Sequence, residues 1–254
     1  MLNPSDQVGT KIRIDKALHE RGLAGSRSKA QAMVMAGIVL VNERRVDKPS
    51  EAIGETDVIR IKGDTPEARY VGRGGLKLEH ALREFNVDPA GFDCIDIGSS
   101  TGGFTDCLLQ HGARSVTAID VGTNQLDWRM RSDPRVDVRE NTNARELKAG
   151  DFVRPFDLAV MDVSFISVTK ILPVVPPLLV PRGKAIVLIK PQFEVGKGEV
   201  GKGGIVREPE KHARVVEEVN DFAEKIGFQV RGVTDSPILG AEGNKEFLAL
   251  YELP

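Results

Sequence analysis

The chain has 254 residues, which at about 100–200 residues per domain points to two domains. Thirty-five Lys and Arg face 37 Asp and Glu, and this near balance excludes a uniformly basic nucleic-acid coat and an acidic solvating tail. A hydrophobic content of 41% excludes a disordered chain, and two cysteines exclude a disulfide framework or a cysteine-based zinc site. The opening MLNPSDQVGT lacks the basic and apolar regions of a signal peptide, and residues 1–10 are expected to be disordered. The most apolar stretch, ILPVVPPLLV at 171–180, contains three prolines and is half the length of a spanning helix, which needs about 20 apolar residues. A soluble, cytoplasmic, monomeric protein is expected.

Charge divides the chain. Residues 11–48 carry nine Lys and Arg against four Asp and Glu, whereas residues 65–254 carry 24 against 28. Within the basic part, Ile14, Ala17, Leu18 and Leu23 recur at helical spacing, as do Ala30, Ala32, Met33 and Met35 behind the candidate N-cap Ser26. Gly37 is placed to stop the second helix, and residues 38–41 and 58–61 read as short strands.

The motifs Arg13-Ile14-Asp15, Gly22-Leu23, Ser26-Arg27-Ser28-Lys29-Ala30 and Gly37-Ile38-Val39-Leu40-Val41-Asn42 resemble the S4 RNA-binding domain. That resemblance spans residues 11–62 and implies phosphate contacts from Arg13, Lys16, Arg27, Lys29, Arg44 and Arg45, which position an RNA without reading its sequence. The family often has Gly after the Asn, where this chain has Glu43.

Gly63, Pro66, Gly72, Gly74 and Gly75 mark residues 63–76 as a linker, in which Arg69, Tyr70 and Val71 are unexpected side chains. From residue 77 onward, helices alternate with strands. Helix 77–85 leads to strand 92–97, helix 104–111 and strand 115–120. Strands 136–138 and 156–162 follow, then a Pro-broken helical stretch at 168–179, strand 184–189 and helix 210–226. Strands 229–233 and 246–250 have no helix between them. The pattern predicts an α/β domain over 77–254, with a mostly parallel sheet of seven strands whose last strand is antiparallel.

The turn after the first strand reads DIGSSTGGFTD. It lacks the G-x-G-x-x-G spacing of a dinucleotide site. The segment GKGEVGKG at 196–203 ends in Gly where a P-loop needs Ser or Thr, and reads instead as a Gly/Lys loop. The turn resembles motif I of Rossmann-like S-adenosylmethionine-dependent methyltransferases. It implies a cofactor site from Asp96, Gly98, Ser99, Ser100, Gly102, Gly103 and Phe104, with Asp120 at the end of the second strand, Asn141 and Asn143.

Two common methylation chemistries lose support. Met161-Asp162-Val163-Ser164-Phe165 lacks the paired prolines used on exocyclic base amines, and Cys94 and Cys107 fall in core positions rather than at a strand mouth. Lys77, Asp162, Lys190 and Glu246, in this order, resemble the Lys-Asp-Lys-Glu tetrad of FtsJ-like ribose 2′-O-methyltransferases. Combined with the S4 motifs, ARYVGRGGLKL, IKPQFE and GNKEF, the chain resembles the TlyA family over residues 11–254. Many of its members have Ser where Gly72 here is expected to loosen the hinge.

The resemblance implies S-adenosylmethionine-dependent methylation of ribosomal RNA at a ribose 2′-hydroxyl, with cytidine the expected target and ribosomal subunits the partners. Lys190 would be the base, Lys77 a neighbouring cation, Asp162 the holder of Lys190, and Glu246 the holder of Lys77 or the ribose. A lysine serves as base only if burial or a second cation lowers its pKa. His19, His80, His111 and His212 have no metal-ligand spacing, so no metal is expected. The family's older name, haemolysin, and an RNA-binding assembly factor without catalysis are the competing functions.

Overall fold

The computed structural model describes residues 11–61, 69–196 and 198–254, and the chain forms two compact units that meet in sequence between Arg69 and Tyr70. The expected disorder of residues 1–10 and the linker residues 63–68 lie outside the described residues.

The first unit runs β1 Lys11–Arg13, α1 Ile14–Glu20, α2 Arg27–Met35, β2 Val39–Val41, β3 Arg44–Arg45, β4 Ala52–Gly54 and β5 Ile59–Ile61. Strand β1 pairs with β4, and β3-β2-β5 form a second antiparallel sheet. Ser26 caps α2, its Oγ accepting from the Lys29 amide at 3.2 Å. Ile14, Leu18, Ala30, Val34, Val39, Val46 and Ile53 form the core. The predicted apolar face of α2 was rotated. Val34 is buried while Met35 is 75% exposed, because the seam runs through Ala30 and Val34, one turn apart. Strands β1 and β4 are three residues each, too short for alternation to announce them. The β2–β3 turn has φ of 48° at Asn42 and 64° at Glu43. A two-residue turn left-handed at both positions favours Asn-Gly, which accounts for the family's Gly where Glu43 stands.

The second unit runs α3 Gly74–Glu84, β6 Asp93–Ile97, α4 Gly103–Gln110, β7 Ser115–Ile119, α5 Trp128–Arg131, β8 Val136–Arg139, β9 Phe156–Met161, β10 Leu179–Ile189, α6 Pro191–Glu194, α7 Pro209–Lys225, β11 Gln229–Asp235 and β12 Phe247–Glu252. The seven strands pair in the order β11-β12-β10-β9-β6-β7-β8, and β12 is antiparallel to both of its neighbours while the other pairings are parallel. The order reverses at β6 and β9, the place where open α/β sheets leave a crevice beyond the carboxyl ends of their strands. The expected helical stretch at 168–179 is instead three 3-10 turns, because its prolines cannot donate to an α-helical ladder.

The linker reading fails after Arg69. Tyr70 is buried, the Val71 amide donates to Asp106 at 2.8 Å, and α3 begins at Gly74 rather than at Lys77. The glycines serve close packing rather than flexibility. A Cβ on Gly75 would stand 2.3 Å from the Tyr70 ring, and one on Gly72 would stand 2.6 Å from Thr101 Oγ1, so Gly72 is not a loose hinge. Gly75→Ala is expected to lower unfolding free energy by about 1–3 kcal/mol through overpacking, read as a reduced midpoint in urea. An unchanged midpoint would show that the ring has room to move.

Candidate active site

Strand β6 delivers its carboxyl end to a loop, Gly98 to Gly102, that turns the chain into α4. Gly98 and Gly102 hold φ of 86° and 95°, a conformation that disfavours side chains. Ser100 sits in the same region at 47° and donates its amide to Asp120 Oδ2 at 2.8 Å. Asp120 Oδ1 accepts from the Gly122 amide at 2.7 Å, so this carboxylate ties the end of β7 to the loop.

Two adjoining clefts open here. The larger, about 540 Å³, is lined by Gly98, Ser100, Asp120 and Asn143 together with the apolar Ile119, Val121, Ile166 and Ile171. The smaller, about 210 Å³, is lined by Gly74, Gly98, Ser99, Ser100, Gly103, Phe104, Asp162, Ser164 and Lys190. Of the expected cofactor residues, three line neither cleft. Asn141 bonds to Thr123 Oγ1 at 2.7 Å, Gly102 faces Leu126 and Met130, and Asp96 is fully buried. Asp96 Oδ2 accepts from Thr105 Oγ1 at 2.7 Å, while Oδ1 has no partner among the described residues. The Asp120 carboxylate in the larger cleft and the Ser99 and Ser100 hydroxyls of the loop suit a nucleoside, and the apolar wall suits a flat ring.

The four tetrad positions form two ion pairs. Lys77 Nζ meets Glu246 Oε2 at 2.5 Å, and Lys190 Nζ meets Asp162 Oδ1 at 2.5 Å. Lys77, Lys190 and Glu246 are buried, and Asp162 is partly so. Helix α3 brings the pairs together, since it carries Lys77 one turn after Gly74, where a Cβ would stand 3.8 Å from Asp162 Oδ2. Lys190 also donates to Ser164 Oγ at 2.7 Å. Ser164 was missed from sequence; its only signal was its place two residues after Asp162. Phe165 was missed too. It is 92% exposed, has φ of 64°, and its ring centroid lies 5.2 Å from that of Phe193. Phe165 lines the larger cleft, and strained backbone of this kind gathers at functional sites.

In the first unit, Arg13 and Arg27 pair with Asp15, Lys16 with Glu20, Arg44 with Glu51 and Arg45 with Asp47, while Lys29 is exposed. No described residues form a metal-binding cluster, and no described helix is long and apolar enough to cross a membrane.

Fold and site together define a Rossmann-like methyltransferase joined to an S4 unit. Residues 70–252 match the FtsJ-like methyltransferase family and residues 12–59 match the S4 domain. YqxC of Bacillus subtilis is 52% identical over 96% of this chain and 86% of its own. The 16S/23S rRNA (cytidine-2′-O)-methyltransferase TlyA of Mycobacterium tuberculosis is 43% identical over 94% of this chain and 89% of its own, and Hemolysin A of Brachyspira hyodysenteriae is 43% identical over 94% and 99%. A solved protein from Streptococcus thermophilus superposes with a TM-score of 0.73 at 47% identity, covering 96% of this chain and 88% of that one. The chain belongs to the TlyA family of FtsJ-like methyltransferases and is an enzyme.

Burial pushes the Asp96 carboxyl up to about 7, against the hydrogen bond from Thr105 and with added repulsion from Asp162 and Asp120. Its folded-state pKa exceeds its unfolded value, so the folded chain keeps a proton that the unfolded chain releases. Stability from this group is therefore present below about pH 4 and is lost as pH rises toward about 7. Asp96→Asn removes this dependence. Urea unfolding should show the variant gaining on the native protein through that interval and holding its gain above it; parallel pH curves would refute the assignment.

Proposed function

We propose that the enzyme methylates a ribose 2′-hydroxyl of ribosomal RNA, at cytidine, with S-adenosylmethionine as donor and with the S4 unit docking on the RNA. The observation that carries this reading is the pairing of Lys190 with Asp162 and Ser164 at the wall of the smaller cleft, next to the glycine loop. The names of the relatives support the substrate, and the two clefts fit a nucleoside cofactor beside a small acceptor group. Asp120 and Asn143 would hold the cofactor's polar edge and the apolar wall its ring, with Gly98 to Gly103 around its amino-acid part. When bound, the cofactor supplies an already activated sulfonium methyl.

The chain's own task is then alignment and proton removal. Lys190 stands to receive the hydroxyl proton, and Asp162 and Ser164 hold its Nζ at the cleft wall. Lys77, fixed by Glu246, supplies positive charge next to the oxygen as it becomes nucleophilic. The exposed Phe165 ring, with the partly buried Phe193 ring beside it, offers a surface on which an unstacked base can rest.

Lys190→Ala is expected to lower methyl transfer to ribosomal subunits from a strain lacking the enzyme by about 10²–10⁴-fold, while cofactor affinity in calorimetry changes little. Mapping of 2′-O-methyl sites on those subunits identifies the target. Full transfer by the variant would remove Lys190 from the mechanism, and methylation confined to a base atom would overturn the ribose reading.

A further inference from the structure

Asp15 stands in the first turn of α1 and is fully buried. Its carboxylate accepts from Arg13 Nε at 3.0 Å and Nη2 at 2.9 Å, from Arg27 Nε at 3.2 Å, and from Gln31 Nε2 at 2.9 Å. These donors come from separate elements, since Arg13 precedes α1 and Arg27 opens α2. The two guanidinium side chains are themselves 46% and 52% exposed. Their bonds to Asp15 leave Arg13 Nη1 and both terminal nitrogens of Arg27 unengaged among the described residues.

We propose that Asp15 is a positioning residue that holds Arg13 and Arg27 as a preordered pair of guanidinium forks for the phosphates of RNA. The proposal rests on the reading that the first unit binds RNA. One buried anion facing two cations leaves the cluster net positive, so it still attracts phosphate. A free arginine loses much side-chain freedom on docking, and a guanidinium anchored from below has already lost it. Gln31 completes the carboxylate's hydrogen bonding without adding charge. The three donors, Arg13 first, hold the Asp15 carboxyl well below the ordinary carboxylate range despite its burial, so it stays ionised wherever RNA binds.

Positioning and simple electrostatics predict opposite signs. A carboxylate beneath a phosphate-binding surface repels the ligand, so charge alone predicts tighter binding when it is removed. The test is binding of the full-length chain to purified ribosomal subunits across a salt series. Asp15→Asn should bind about tenfold more weakly, with a plot of log affinity against log salt shallower by about one. Glu55→Gln makes the same change in net charge at an exposed carboxylate and should not weaken binding. Arg27→Lys keeps the charge but loses the Nε anchor, and should weaken binding by about threefold.

Thermal melts separate these effects from loss of fold. A purely structural role for Asp15 would lower the melting temperature but leave the salt slope of the folded protein unchanged. Asp15→Asn binding as tightly as the native chain, or more tightly, overturns the proposal. If that variant does not fold, native-like binding by Arg27→Lys overturns it. Absence of salt-dependent binding by the native chain itself would instead bring down the RNA reading and this proposal together.

Discussion

Burying charge is expensive unless each charge meets its opposite, and that requirement shapes the catalytic unit. Lys77, Lys190 and Glu246 are withdrawn from water at the carboxyl edge of the sheet, with Asp162 partly so. Removing one partner of such a pair strands the other, which typically costs about 3–5 kcal/mol. The same bonds therefore hold the four side chains in place and make the loss of any one costly to the fold. Lys77 and Glu246 lie 169 residues apart, so only the completed topology, with α3 against the strand ends and β12 inside the sheet, satisfies them.

The first unit uses a related device in another setting. There too a buried carboxylate meets cations, but the cations face water. Asp15 lies beneath the surface and the guanidiniums it holds lie half outside it. In the catalytic unit both members of the Lys77–Glu246 pair are enclosed. The difference suits the roles proposed for the two units. A proton acceptor needs a shielded pocket, whereas groups that meet a polyanion need accessible charge with little motion left to lose.

Much of this was legible before any coordinates. The strands of the parallel sheet are short apolar runs separated by helices, and each predicted strand has its counterpart among β6–β12 with ends shifted by a few residues. The tetrad could be read as four positions in order, but not as two pairs, because pairing depends on distances between strand ends. Ser164 and Phe165 escaped notice because one serine and one aromatic in a loop carry no periodic signal. The glycines at 72 and 75 were misread because sequence does not distinguish a glycine needed for motion from one needed for close approach. Asp96 was placed in the cofactor site by its motif, although its side chain is closed off from solvent and accepts from Thr105 of α4.

Strand β12 is the last strand in the chain, yet it occupies an interior position between β10 and β11. During synthesis, β6 to β10 can assemble while the sheet still waits for β12, and β11 has no neighbour to pair with until β12 arrives. Glu246 arrives with it. A nascent chain that already carries a complete first unit and α3 thus leaves the buried Lys77 without its carboxylate partner until Glu246 and β12 have emerged.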